Sequence, residues 1–122
     1  MAKVLIVEDE AMVLVLAESV IQSAGYETVS AASLSEAEAL VSSPDGHLDL
    51  VFTDISLGDD PEGGVQIGHL VRKQRPAMPV LYTSGRNLTD GLKEMLVAQS
   101  VFLPKPYTDT QLVEALAALL RS

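Results

Sequence analysis

Five short apolar runs, each followed by a stretch with helical spacing, constrain the fold of this chain more than any other feature. Lys3-Val-Leu-Ile-Val7 carries four consecutive apolar residues, the pattern of a strand buried on both faces. Comparable runs stand at Tyr26–Ser30, Leu48–Thr53, Pro79–Thr83 and Val101–Leu103. Between them the helical segments carry their own punctuation. Gly25 is placed to end the first helix, Ser33-Leu-Ser-Glu36 has the form of a capping box, and Pro44 closes the helix it opens. Ser56–Gly64, rich in Gly and Asp, reads as a loop before a helix over Val65–Gln74. A fourth helix is predicted over Leu88–Ala98, weakened by Gly91, and a fifth from the second capping box, Thr108-Asp-Thr-Gln111, to about Arg121.

Strand and helix thus alternate five times with no linker or repeat. Such alternation calls for right-handed βαβ units, and so for an α/β fold with a doubly wound, five-stranded parallel sheet covered by helices on both faces. A length of 122 residues suits one such domain, spanning 1–122. In the first helix, Val13, Leu16, Ala17, Val20 and Ala24 fall on one predicted core stripe. Leu14 and Val15 lie off it, where exposed apolar side chains would form a docking patch or stand as scattered surface hydrophobes.

Composition removes several function classes. A formal net charge of −9 argues against direct binding to nucleic acid, whose phosphates need a basic surface. The absence of cysteine excludes disulfides and thiolate metal sites. The longest apolar run, Ala11–Ala17, is far short of the roughly 20 residues that span a bilayer. A signal peptide needs a basic start, an apolar stretch and a small-residue cleavage site, whereas this start is strand-like and acids follow it directly, so the expected location is cytoplasmic.

In open parallel sheets, function gathers beyond the carboxyl ends of the strands. There the sequence sets Glu8 and Asp9 after the first strand, Asp54 at the end of the third, Thr83 at the end of the fourth and Lys105 after the fifth. Two like charges about 4 Å apart repel by about 4 kcal/mol at an effective dielectric of 20, so converging carboxylates need a neutralising partner. Lys105 supplies one positive charge, and a hard divalent ion such as Mg²⁺ fits the all-oxygen remainder. Phosphoryl transfer asks for a nucleophile, a metal and fixed donors for the phosphoryl oxygens. Asp54 can be the nucleophile, Asp9 and Glu8 can hold the metal, and Thr83 and Lys105 can act as the donors. A merely solvated acidic rim would leave Thr83 and Lys105 unexplained.

With these residues in view, the chain resembles the receiver domains of two-component response regulators, most closely those of hybrid histidine kinases and stand-alone receivers. The motifs that carry the resemblance are Val4-Leu-Ile-Val-Glu-Asp-Glu10, Asp49-Leu-Val-Phe-Thr-Asp54, Pro79-Val-Leu-Tyr-Thr-Ser-Gly85 and Phe102-Leu-Pro-Lys-Pro106. The resemblance implies a 2-1-3-4-5 strand order of the flavodoxin-like kind and phosphorylation of Asp54. It implies Glu8 and Asp9 as the acidic pair and the Ser56 backbone carbonyl as a further metal ligand. Thr83 becomes the switch hydroxyl, Lys105 the lysine of the site, Phe102 the aromatic that turns inward on activation, and Lys105–Pro106 a cis bond. It further implies Mg²⁺ as cofactor and a sensor histidine kinase or histidine phosphotransfer protein as phosphodonor. A downstream protein would read the face of the fourth helix, fifth strand and fifth helix, and dimerisation is left open. Such a domain assists its own phosphorylation and hydrolysis without turning over an external substrate.

One departure stands out. Where the family usually carries a proline four residues after the acceptor, this chain has Gly58, and an acidic stretch follows through Asp59, Asp60 and Glu62. Those acids are expected to slow the approach of an anionic phosphodonor. A haloacid-dehalogenase-type phosphatase would want an acid at Ser56, and a P-loop enzyme a Gly-x4-Gly-Lys motif that is absent. The remaining rival is a receiver-shaped interaction module that is never phosphorylated.

Overall fold

The computed structural model describes residues 1–44 and 46–121. In chain order the elements are β1 (Lys3–Val7), α1 (Ala11–Ser23), β2 (Glu27–Ala31), α2 (Leu34–Ser42), β3 (Leu50–Asp54), α3 (Gly63–Gln74), β4 (Val80–Ser84), α4 (Asp90–Met95), β5 (Ser100–Pro104) and α5 (Asp109–Leu120). The sheet is wholly parallel with order β2-β1-β3-β4-β5, as the alternation and the resemblance imply.

Alternate strand residues feed two separate cores, as the period-2 geometry of a strand requires. Leu5, Val7, Val51, Val80 and Tyr82 pack with the buried residues of α2, α3 and α4. Val4, Ile6, Leu50, Phe52 and Leu81 pack with Ala17 and Ile21 of α1 and with Leu112 and Leu116 of α5. The registers pair Val7 with Thr53, Asp54 with Thr83 and Thr83 with Leu103, which brings the carboxyl ends of the four strands to one rim.

The end signals mostly act as predicted. Helix α1 closes in a Schellman motif: Tyr26 N–H donates to the Ile21 carbonyl and Gly25 N–H to that of Gln22, with Gly25 at φ +98°. Thr108 and Gln111 cap α5 reciprocally. At α2 the Ser33 hydroxyl accepts from Glu36 N–H, whereas the Glu36 carboxylate reaches back to Ala32 N–H.

Two expectations are corrected. The core face of α1 is Leu14, Ala17 and Ile21 with Val20 beside them, while Leu16 is 63% exposed. The apolar side chains turned to solvent are therefore Met12, Val15 and Leu16, not Leu14 with Val15. Helix α4 covers Asp90–Met95 only: Thr89 caps its start, and Leu96 turns extended at φ −81°, ψ 142°.

Candidate functional site

Each site residue reaches the rim because its strand delivers it there. β1 ends in a buried Glu8 and an exposed Asp9, β3 ends in a buried Asp54, and the chain leaving β5 presents Lys105. The Lys105–Pro106 peptide bond is cis. Helix α3 approaches so closely behind Asp54 that a Cβ on Gly64 would collide with the Asp54 carbonyl oxygen. Gly64 N–H donates to the Ile55 carbonyl at 2.8 Å, fixing the start of the loop after Asp54.

Lys105 Nζ lies at the centre of the cluster, donating to Asp54 Oδ2 at 2.7 Å and to Glu8 Oε1 at 3.1 Å. The second Glu8 oxygen accepts from Glu10 N–H at 3.1 Å, and Asp54 Oδ1 accepts from Ser56 N–H at 3.3 Å. Asp9 Oδ2 accepts from Gly58 N–H at 3.0 Å. One oxygen each of Glu8, Asp9 and Asp54 falls within 4.8 Å of the others.

The electrostatics follow from one ammonium shared among carboxylates. Burial pushes the Glu8 carboxyl up, and the Glu10 amide and Lys105 offset this only in part, so its pKa stays above the ordinary value. Burial also pushes the Lys105 ammonium down, but its hydrogen bond to Asp54 and the charges of Asp54 and Glu8 outweigh burial and hold its pKa above normal. Lys105 gains from two partners, whereas Glu8 receives only a share of one. With the carboxylates ionised, three negative charges face one positive. The uncompensated, all-oxygen donor set fits a hard divalent cation, so the residues present suit Mg²⁺.

Thr83 is placed at the rim as the register partner of Asp54. Its hydroxyl donates to the Leu103 carbonyl at 2.7 Å, tying β4 to β5. Phe102, half-buried on β5, borders a hollow of about 270 Å³ shared with Leu88, Lys93, Leu96 and Val97. Ser56 sits in the loop beside Asp54, its hydroxyl donating to the Pro61 carbonyl at 3.1 Å.

Other groups had no assigned place in the sequence. Beside Lys105 a groove of about 660 Å³ runs between α1 and α5, lined by Val13, Leu16, Val20, Tyr107 and Leu112 among others. Burial raises the Tyr107 hydroxyl pKa, and its ring meets Phe52 edge-on at 6.0 Å. His69, exposed on α3, hydrogen-bonds the Met95 carbonyl at the end of α4. The Gly58-Asp59 pair was a legible tight-turn signal; its link to Asp9 was not.

Comparison with known proteins agrees with this geometry. Residues 4–117 match the family model described as the response regulator receiver domain. The chain belongs to the response regulator receiver family. The receiver is 32% identical over 120 residues to the transcriptional regulatory protein BasR of Escherichia coli (strain K12), covering 98% of this chain and 52% of that protein. It is 33% identical over 122 residues to the sensor kinase CckA of Brucella abortus (strain 2308), covering 98% of this chain and 12% of that one. The chain therefore spans about half or less of these curated relatives. A response regulator receiver protein from Sinorhizobium medicae WSM419 superposes with a TM-score of 0.90 at 30% identity, over 99% of this chain and 95% of that one. Receivers are signalling domains of two-component systems, acting through phosphorylation rather than turnover of an external substrate, and they interact with histidine kinases or phosphotransfer proteins. Among the described residues no helix is long and apolar enough to cross a membrane.

Proposed function

We propose that this receiver takes a phosphoryl group on Asp54 from a sensor histidine kinase or histidine phosphotransfer protein, with Mg²⁺, and then alters the face built by α4, β5 and α5. The observation that carries this reading is Lys105 bridging Asp54 and Glu8 at 2.7 and 3.1 Å, with Asp9 completing a three-carboxylate cluster. An Asp54 carboxylate oxygen attacks phosphorus: the O–P bond forms while the donor's N–P bond breaks, leaving that electron pair on the donor's imidazole. Glu8, Asp9, Asp54 and the Ser56 carbonyl are the groups that would hold Mg²⁺, which supplies positive charge to the phosphoryl oxygens. Lys105 neutralises a further oxygen.

Phosphorylation brings roughly −1.5 to −2 charge and three acceptor oxygens. The Thr83 hydroxyl, now donating to Leu103, can exchange that neutral acceptor for a charged phosphoryl oxygen, loosening the tie between β4 and β5 beside Phe102. The groove next to Lys105, with Leu16 on its wall and Met12 and Val15 exposed on the same helix, supports docking of an amphipathic partner helix that carries the donor histidine. The domain would occupy 1–122 and work in the cytoplasm.

The test is incubation with acetyl phosphate and Mg²⁺, or with a histidine phosphodonor, followed by intact mass. The wild type should gain one phosphoryl group and Asp54→Asn none. No gain on wild type with either donor would favour a module that binds partners without being phosphorylated.

A further inference from the structure

The segment between β3 and α3 is ordered by its own hydrogen bonds. Leu57 and Asp60 exchange both backbone bonds, Leu57 N–H to the Asp60 carbonyl at 2.9 Å and Asp60 N–H to the Leu57 carbonyl at 2.8 Å. Only two residues, Gly58 and Asp59, lie between them. Gly58 is at φ +56° and Asp59 is not in the left-handed region, which is the pattern of a II′ turn with glycine first. Leu57, 2% exposed, anchors the turn in the core, and the Ser56 hydroxyl bonded to the Pro61 carbonyl closes it from the other side.

The pairing across this turn uses the Leu57 and Asp60 amides and leaves the Gly58 N–H free to point outward. It donates to Asp9 Oδ2 at 3.0 Å. Among the described residues this is the one hydrogen bond made by the Asp9 side chain, which is otherwise exposed at the end of β1. A free carboxylate there would sample several rotamers, only some of which face Glu8 and Asp54. The bond occupies one lone pair on one oxygen and leaves the rest of the carboxylate open.

We propose that the Gly58 amide is a positioning donor for the divalent-cation site, holding Asp9 with an oxygen turned toward Glu8 and Asp54. The inference rests on the metal reading given under Proposed function. Its logic is that of any metal-ligating carboxylate, which binds best when a neighbouring donor fixes its orientation. Two properties of position 58 are needed together: a left-handed backbone and an N–H. Proline has neither, its φ being near −65°. Asparagine keeps the N–H and is, with glycine, among the residues that such turns accept at positive φ.

The experiment is an NMR titration of the metal-free chain with Mg²⁺, for wild type, Gly58→Pro and Gly58→Asn, with thermal unfolding of each to confirm folding. Gly58→Pro should weaken Mg²⁺ binding about 10-fold, the scale of losing a partner that orients a ligand. Gly58→Asn should stay within about threefold of wild type. Equal affinity in wild type and Gly58→Pro, or an equal loss in both variants, would overturn the proposal. Should Gly58→Pro not fold, amide exchange on wild type decides the matter. Saturating Mg²⁺ should slow exchange at Gly58 more than at Asp59, by the reciprocity of linked equilibria. Unchanged Gly58 exchange would refute the coupling. Absence of any Mg²⁺-dependent shift in wild type is a distinct result, which removes the metal reading itself.

Discussion

The two ends of the sheet use charged side chains in opposite ways. At the end away from the site, Arg72 of α3 and Arg75 just past its end each make three hydrogen bonds to neutral backbone carbonyls. Arg75 donates to Val41, Ser43 and Gly46, and Arg72 to Pro76, Met78 and Ala98. Each guanidinium ties helix ends and loops together through their carbonyls, and only Arg72 Nε is left buried without a partner among the described residues. At the rim, three carboxylates share one ammonium. Charges matched to permanent dipoles stiffen a structure. Charges left short of partners hold it ready for a ligand.

That contrast can be broken by measurement. Arg75→Ala removes three charged-donor bonds and should cost about 3 kcal/mol in urea unfolding, with no change in Mg²⁺ affinity. A stability loss below about 1 kcal/mol would mean that the carbonyls find water easily and the staple is not structural. Lys105→Met should cost about 2 kcal/mol near neutral pH, because it strands two buried carboxylates.

The Lys105→Met loss should depend on pH in a definite direction. The Glu8 pKa is already raised in the folded state, so the folded protein holds that proton more tightly than the unfolded chain, and stability falls as pH rises through the folded pKa. Taking away Lys105 removes one of the influences lowering that pKa. The window then extends upward, so the loss should shrink as pH drops toward the ordinary carboxylate range. A loss that stays constant with pH would show that Lys105 acts by packing and not by charge.

Thr83 sharpens the comparison, since it stands at the rim yet donates to a neutral carbonyl as the arginines do. Thr83→Ala should cost about 1 kcal/mol of stability. It should still be phosphorylated but should not shift affinity for a downstream partner. Equal affinity gains in mutant and wild type would separate Thr83 from the switch.

The site was more legible than its surroundings. Strands buried on both faces announce themselves as apolar runs, and topology then fixes which rim their polar ends share, so Glu8, Asp9, Asp54 and Lys105 could be brought together from sequence. The face of α1 could not. Residues 11–17 are all apolar, so periodicity there defines no stripe, and contact with the sheet chose Leu14 over Leu16. Nor could the span of α4 be read: the Leu88–Ala98 pattern gave no sign of extended chain after Met95. The Tyr82 hydroxyl accepts from Val97 N–H and Arg72 holds the Ala98 carbonyl in that segment.

The sequence by itself therefore determined the parallel sheet, most of the caps and the identity of the charged rim, because those depend on local pattern and strand order. Tertiary structure decided where each donor goes. Arg75 finds acceptors 29 to 34 residues away, Thr83 turns to Leu103, and the Gly58 amide reaches Asp9 across 49 residues. A sequence displays its hydrogen-bonding groups, but the distance and angle that make a bond exist only once the chain has folded.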